Sequence, residues 1–135
     1  MITAIGHAAF AVSDLDRSLD FYVRGLGLRE AFRLYNDRGE TWIVYLQVAP
    51  QAFLEFFPGG RLGERAAHQA YRHLCLLVDD IAATLAQLAQ RGILPDRPAR
   101  QGKDGNWQAW LTDPDGNRLE LMQVMAGSPQ ALAGG

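Results

Sequence analysis

His7-Ala8-Ala9-Phe10-Ala11-Val12-Ser13-Asp14-Leu15 is an apolar run that ends on a polar pair and passes into a helical pattern. The stretch is written a second time, 66 residues later. Ile5-Gly6-His7 falls on Tyr71-Arg72-His73, Val12-Ser13-Asp14-Leu15 on Val78-Asp79-Asp80-Ile81, and Leu19 and Tyr22 on Leu85 and Leu88. Beyond the helix the offset is 65, which places Gly27 on Gly92, Trp42 on Trp107, Tyr45 on Trp110, Leu46 on Leu111 and Glu55 on Glu120. A one-residue deletion in a turn accounts for the change. An ordered series of matches marks an internal duplication, and the duplication decides the fold class.

Each half reads as a strand, a helix and further strands. In the first, residues 4–12 form a strand, and Ser13 is the expected N-cap with Asp16 three residues on. Leu15, Leu19, Tyr22 and Leu26 make the apolar face of the helix, which Gly25 and Gly27 end. Strands follow at 29–36, 41–49 and 52–57, broken by the hairpin-type turn Asn36-Asp37-Arg38-Gly39 and a short link around Pro50. The second half repeats the plan: a strand at 72–78, an Asp79 cap, a helix near 80–91 stopped by Gly92, a less regular strand or loop at 93–101, and strands at 106–112 and 118–124 around the turn Asp113-Pro114-Asp115-Gly116-Asn117. The reading is an α+β protein of two tandem βαβββ modules, with sheets that curve to enclose a cleft. Residues 1–57 form the first module, 58–70 the link, 71–125 the second module and 126–135 a flexible tail.

Composition bounds the function. The chain has 135 residues, 48% of them hydrophobic, 21% charged, and a net charge of −2. A chain of this length buries about 70% of its unfolded surface, and the apolar fraction with so small a net charge excludes disorder. The charge leaves no basic footprint for nucleic acid or an anionic membrane. No apolar run approaches the roughly 20 residues of a membrane span, and the N-terminus has no signal-peptide pattern. The single cysteine, Cys75, forms no internal disulfide, and a reducing, cytoplasmic setting is expected.

Four polar residues stand where strands should be apolar. His7 and His73 are equivalent in the repeat, as are Glu55 and Glu120, and all four have apolar neighbours. Burying an unpaired carboxylate costs several kcal/mol. A pair of core His–Glu hydrogen bonds would answer that cost. One divalent cation held by two imidazoles and two carboxylates answers it for all four groups at once, and Zn, Ni, Co, Mn and Fe all suit mixed N and O donors. Alternation puts His7 on a face with the small Ala9 and Ala11. Phe53 and Phe57 flank Glu55, and Arg118 and Met122 flank Glu120, so the pocket is apolar and fits a small molecule.

The motifs His7-x-Ala9-Phe10-x-Val12-x-Asp14-Leu15, Ser18-Leu19-x-Phe21-Tyr22 and Asp113-Pro114-Asp115-Gly116-Asn117-x-Leu119-Glu120-Leu121 resemble the vicinal oxygen chelate superfamily, over about residues 3–124. Within it the chain is most similar to the bacterial glyoxalase I family. The resemblance implies that His7, Glu55, His73 and Glu120 hold one divalent metal, commonly at the interface of a homodimer. It implies a metal-stabilised enediolate formed from a thiol adduct of methylglyoxal, with Glu120 as the main proton carrier and Glu55 as the second carboxylate. It makes Lys103 a candidate grip on a substrate carboxylate. That family carries an Arg and an Asn for glutathione where this chain has Ala11 and Gly59, which sets glutathione itself apart as a separate question. Epimerases of the superfamily keep a four-ligand set. Extradiol dioxygenases and thiol transferases of the fosfomycin-resistance type do not require Glu55, and drug-binding proteins of the bleomycin-resistance type lack the metal set.

The remaining candidates have packing alternatives. Trp42, Trp107 and Trp110 stack on substrate or pack in the core, with Trp110 the substrate contact of choice. Cys75 lies beside His73 as an inert buried thiol. His68 is read as a solvated link residue, and Tyr35 and Tyr45 as packing residues.

Overall fold

Strand β1 (His7–Val12) alternates between an exposed face and a face that packs inward, where Val12 is buried. The computed structural model describes residues 1–63 and 70–134, so His68 lies outside the described residues. The chain divides into two compact units, Met1–Glu64 and Arg65–Gly135.

In the first unit β1 runs into helix α1 (Leu15–Leu19), continued by a π-helix at Asp20–Gly25. The N-cap is Asp14, not the expected Ser13. Backbone φ and ψ stay extended through Asp14 (−138° and 106°), and its carboxylate accepts from Arg17 N at 3.0 Å. A carboxylate at a helix N-terminus meets both the free N–H groups and the helix dipole. The expected ordinary helix is π-wound from Asp20 onward, with Leu26 N bonded to Phe21 O at 2.8 Å. Gly27, at φ 81°, releases the chain from it. Strands β2 (Arg29–Tyr35), β3 (Thr41–Ala49) and β4 (Ala52–Pro58) follow. The sheet order is β1-β4-β3-β2, with β1 parallel to β4 and the other pairs antiparallel. Val44, Leu46, Leu54 and Phe56 form the core with Tyr22 of the π-helix, whose ring meets Phe56 edge-on at 4.9 Å. Each of these side chains contributes about 1.5–3 kcal/mol through burial.

The second unit repeats the order. Strand β5 (Leu74–Leu77) is shorter than the 72–78 expected and leaves His73 one residue before it. Helix α2 (Ile81–Gln90) is capped by Asp80, not Asp79, through Ala83 N at 2.8 Å. Asp79 instead accepts from Asp80 N. The one-residue correction is the same in both units, because the second residue of each polar pair is where the chain leaves the extended conformation. The 93–101 segment yields only β6 (Arg100–Gln101). Pro95 and Pro98 have no N–H to offer a ladder. Strands β7 (Trp107–Thr112) and β8 (Arg118–Gln123) complete a sheet ordered β5-β8-β7-β6, with β5 parallel to β8. Ala109, Leu111, Leu119 and Leu121 are its core with Ile81 and Leu88. The turn before β8 closes on Asp113, which accepts from Asp115 N and Asn117 N.

The last residues differ from the frayed tail expected. Helix α3 (Pro129–Ala133) starts with Ser128 as N-cap and Pro129 in its first turn. The fully buried Asn106 holds this end, accepting from Met125 N at 2.9 Å and donating to Gln130 Oε1 at 3.3 Å.

Candidate metal centre

The face of each sheet opposite the helix carries a matching row. In the first unit the ladder sets Ala9 beside Glu55 and Tyr45 beside Glu55. In the second it sets Cys75 beside Glu120 and Trp110 beside Glu120. Position by position these are the residues the sequence repeat equates.

His7 opens β1, and its Nε2 stands 3.5 Å from Glu55 Oε2. His73 Nε2 stands 3.1 Å from Glu120 Oε2. In both pairs the imidazole is open to solvent and the carboxylate is not: side-chain exposures are 51% for His7 against 8% for Glu55, and 37% for His73 against 6% for Glu120.

Two donors about 2.0–2.2 Å from one cation stand about 2.8–3.1 Å apart at octahedral angles and about 3.3–3.6 Å apart at tetrahedral angles. Both His–Glu separations fall in these ranges, so each pair fits two coordination positions of one ion. Among the described residues no group of three or more His, Cys, Asp or Glu side chains is placed to hold a metal. Each unit offers one His–Glu pair, two donors.

The surroundings of the carboxylates differ. The Tyr45 phenol hydrogen-bonds to Glu55, which raises its pKa above the ordinary phenol value, with desolvation and the Glu55 charge adding to the shift. Phe32 stacks on Tyr45 at 4.2 Å. In the second unit burial, then the charge and hydrogen bonding of Glu120, push the Cys75 thiol up to about 11. That thiol is protonated and unreactive near neutral pH.

Of the expected substrate contacts, Trp110 meets His73 edge-on at 4.9 Å, and Phe53 meets Tyr45 at 6.1 Å. Phe57 lies against Trp42 instead. Met122 is buried with its sulfur against Asn106 Nδ2. Lys103 is exposed in the turn between β6 and β7. Tyr45, read from sequence as packing, is the residue that sequence reasoning missed. Its signal was the repeat itself, which set a polar ring where the other half has Trp110. Ala11 is exposed. A Cβ on Gly60 would stand 2.7 Å from the Ala11 carbonyl carbon, so the chain after Gly59 runs hard against β1.

A family model described as "Glyoxalase/Bleomycin resistance protein/Dioxygenase superfamily" matches residues 4–121. The chain is 29% identical to a lactoylglutathione lyase of Escherichia coli O157:H7, over 87% of this chain and 90% of that one. It is 26% identical to a 2-epi-5-epi-valiolone epimerase of an Actinomyces species, over 93% of this chain and 82% of that one. Among solved structures, a glyoxalase family protein from Enterococcus faecalis superimposes with a TM-score of 0.74 at 27% identity, over 88% of this chain and 96% of that one.

Proposed function

We propose, from the premise that the chain belongs to the glyoxalase/bleomycin resistance protein/dioxygenase superfamily, that it is a divalent-metal-dependent lyase of the lactoylglutathione lyase type. Its substrate on this reading is a thiol adduct of a 2-oxoaldehyde. The observation that carries the reading is the twice-built pair: a buried carboxylate facing an open imidazole Nε2, at equivalent places in both units. A structural hydrogen bond needs no duplication, and it does not need the imidazole side left open. Relatives named lactoylglutathione lyase support the reaction type.

The residues that would hold the cation are His7, Glu55, His73 and Glu120, drawn from one chain or from the two chains of a homodimer. A bound cation supplies Lewis-acid stabilisation to negative charge developing on two adjacent oxygens. The protein moves the proton. Glu120 takes it from the carbon bearing sulfur and hydroxyl and returns it to the neighbouring carbonyl carbon, while the hydroxyl proton passes to the former carbonyl oxygen, so the adduct becomes its isomer, a 2-hydroxyacyl thioester. A positioned carboxylate contributes about 10²–10⁴-fold in such a transfer. Glu55, held by Tyr45, serves as a fixed donor. Trp110, edge-on to His73, would give apolar cover against water on the Glu120 side.

The relative named as an epimerase favours one second reading. Epimerisation uses the same proton removal but returns the proton to the same carbon.

The test is direct. The protein, purified without chelator, is analysed for bound metal and assayed for thioester formation from hemithioacetals with Ni, Co, Zn and Mn added back. One metal per four-donor site and metal-dependent thioester formation are expected. Failure to bind any divalent metal overturns the site. Metal binding without thioester formation overturns the lyase and moves the chain to the epimerase reading.

A further inference from the structure

One cation, Arg118 of β8, has no part in the reaction above. The Arg118 guanidinium carbon lies 4.5 Å from the centroid of the Trp110 ring. The same ring takes the edge of His73 at 4.9 Å. Arg118 and Glu120 are two apart on β8, so both leave the same face of the sheet. Arg118 is exposed, and no described carboxylate forms an ion pair with it. Its backbone carbonyl accepts from the Tyr71 hydroxyl at 3.0 Å, which ties the segment leading to His73 onto the same strand.

A long cationic side chain at a surface normally samples many rotamers. Here an indole face confines it by cation–π attraction. No described side-chain acceptor meets the guanidinium N–H groups, and a cation–π contact does not use them as hydrogen-bond donors. Those groups match a carboxylate with two parallel hydrogen bonds. The neighbouring carboxylate, Glu120, is buried and turned to His73. The held cation therefore stands at the open side of the pair, ready for an anion from outside. Ala11 and Gly59 offer nothing comparable.

We propose that Arg118, stacked on Trp110, is the specificity-determining residue that reads a carboxylate on the substrate while the reacting carbons lie against His73 and Glu120. The identity of the reacting end rests on the proposed function. The recognition of the carboxylate does not.

The test is equilibrium binding by calorimetry, using S-methylglutathione and its diethyl ester as unreactive probes, with and without added nickel. The wild type should bind the acid about tenfold or more tightly than the ester. Arg118→Met should lose that preference by weakening the acid about tenfold while leaving the ester unchanged, and Arg118→Lys should restore part of it. In turnover, KM should rise with kcat little altered. Equal losses for acid and ester in Arg118→Met, undiminished acid binding in that variant, or a wild type that binds neither probe overturns the proposal. A wild type that forms no thioester, yet shows an acid preference dependent on Arg118, sinks the lyase reading and leaves this inference standing.

Discussion

Glu120→Gln separates a functional carboxylate from a structural one. The Glu120 side chain is 6% exposed and faces one imidazole at 3.1 Å, with the Cys75 thiol as a further hydrogen-bond partner. Confining a carboxylate in this way costs several kcal/mol. Hydrogen bonds to a charged group return about 1.5–3 kcal/mol each. Glutamine keeps the shape and an acceptor oxygen, and removes the charge. In chelator, then, the variant should be as stable as the wild type or up to about 2 kcal/mol more so, a rise of up to roughly 6–10 °C in Tm for a chain of this size. With nickel at about 100 times its Kd, the wild type should gain about 2.7 kcal/mol from binding. The variant should gain far less, and its turnover should fall by about 10²–10⁴. Calorimetric melts with and without metal read both arms. A variant destabilised by more than about 1 kcal/mol in chelator makes Glu120–His73 a structural pair. A variant that keeps the full nickel shift removes Glu120 from the donor set.

Two other predictions follow from local geometry. Gly60→Ala places a Cβ 2.7 Å from backbone of β1, and should cost about 1–3 kcal/mol in urea unfolding; an unchanged midpoint refutes the close approach. Cys75, with a thiol pKa raised from 9.0 to about 11 by burial first and then Glu120, should alkylate with a rate that climbs until pH about 11, and levelling near 9.0 would contradict that burial beside Glu120. Because the folded pKa is the higher one, the unfolded chain loses this proton first. The thiol's contribution to stability is complete below pH about 9 and declines from there to about 11.

The duplication made most of the fold legible. Strands β2, β3, β4 and β8 lie within two residues of where period-two patterning put them, because their alternation records one buried face. What patterning does not carry is the choice between neighbouring polar caps. Ser13 and Asp14 are both good caps, and only the backbone's departure from extended geometry selects Asp14. The π-helix was equally hidden, since five-residue bonding leaves no separate composition signal. Asn106 was invisible for a different reason. Its partners, Met125 and Gln130, lie at and within a segment, rich in Ala and Gly, that reads as a flexible tail until the buried amide is seen holding it. At the candidate site, the repeat identified which His and Glu pair, but not which neighbours each pair has.

Those neighbours give the two halves different work on the proposed reading. Duplication by itself gives two equivalent glutamates, and proton transfer needs them unequal. Glu55 accepts a hydrogen bond from Tyr45, whose ring is in turn clamped by Phe32 at 4.2 Å. On the proposed reading, Glu55 would have to leave Tyr45 in order to swing toward substrate. The equivalent of Tyr45 beside Glu120 is Trp110, whose ring is occupied by His73 and Arg118. Glu120 keeps its imidazole, His73, at 3.1 Å and has the Cys75 thiol, a weak donor, on the neighbouring strand. The same divergence from Tyr to Trp also supplies the ring over which Arg118 lies. On the proposed reading it would give the two carboxylates unequal neighbours and equip the Glu120 side to recognise an anionic substrate.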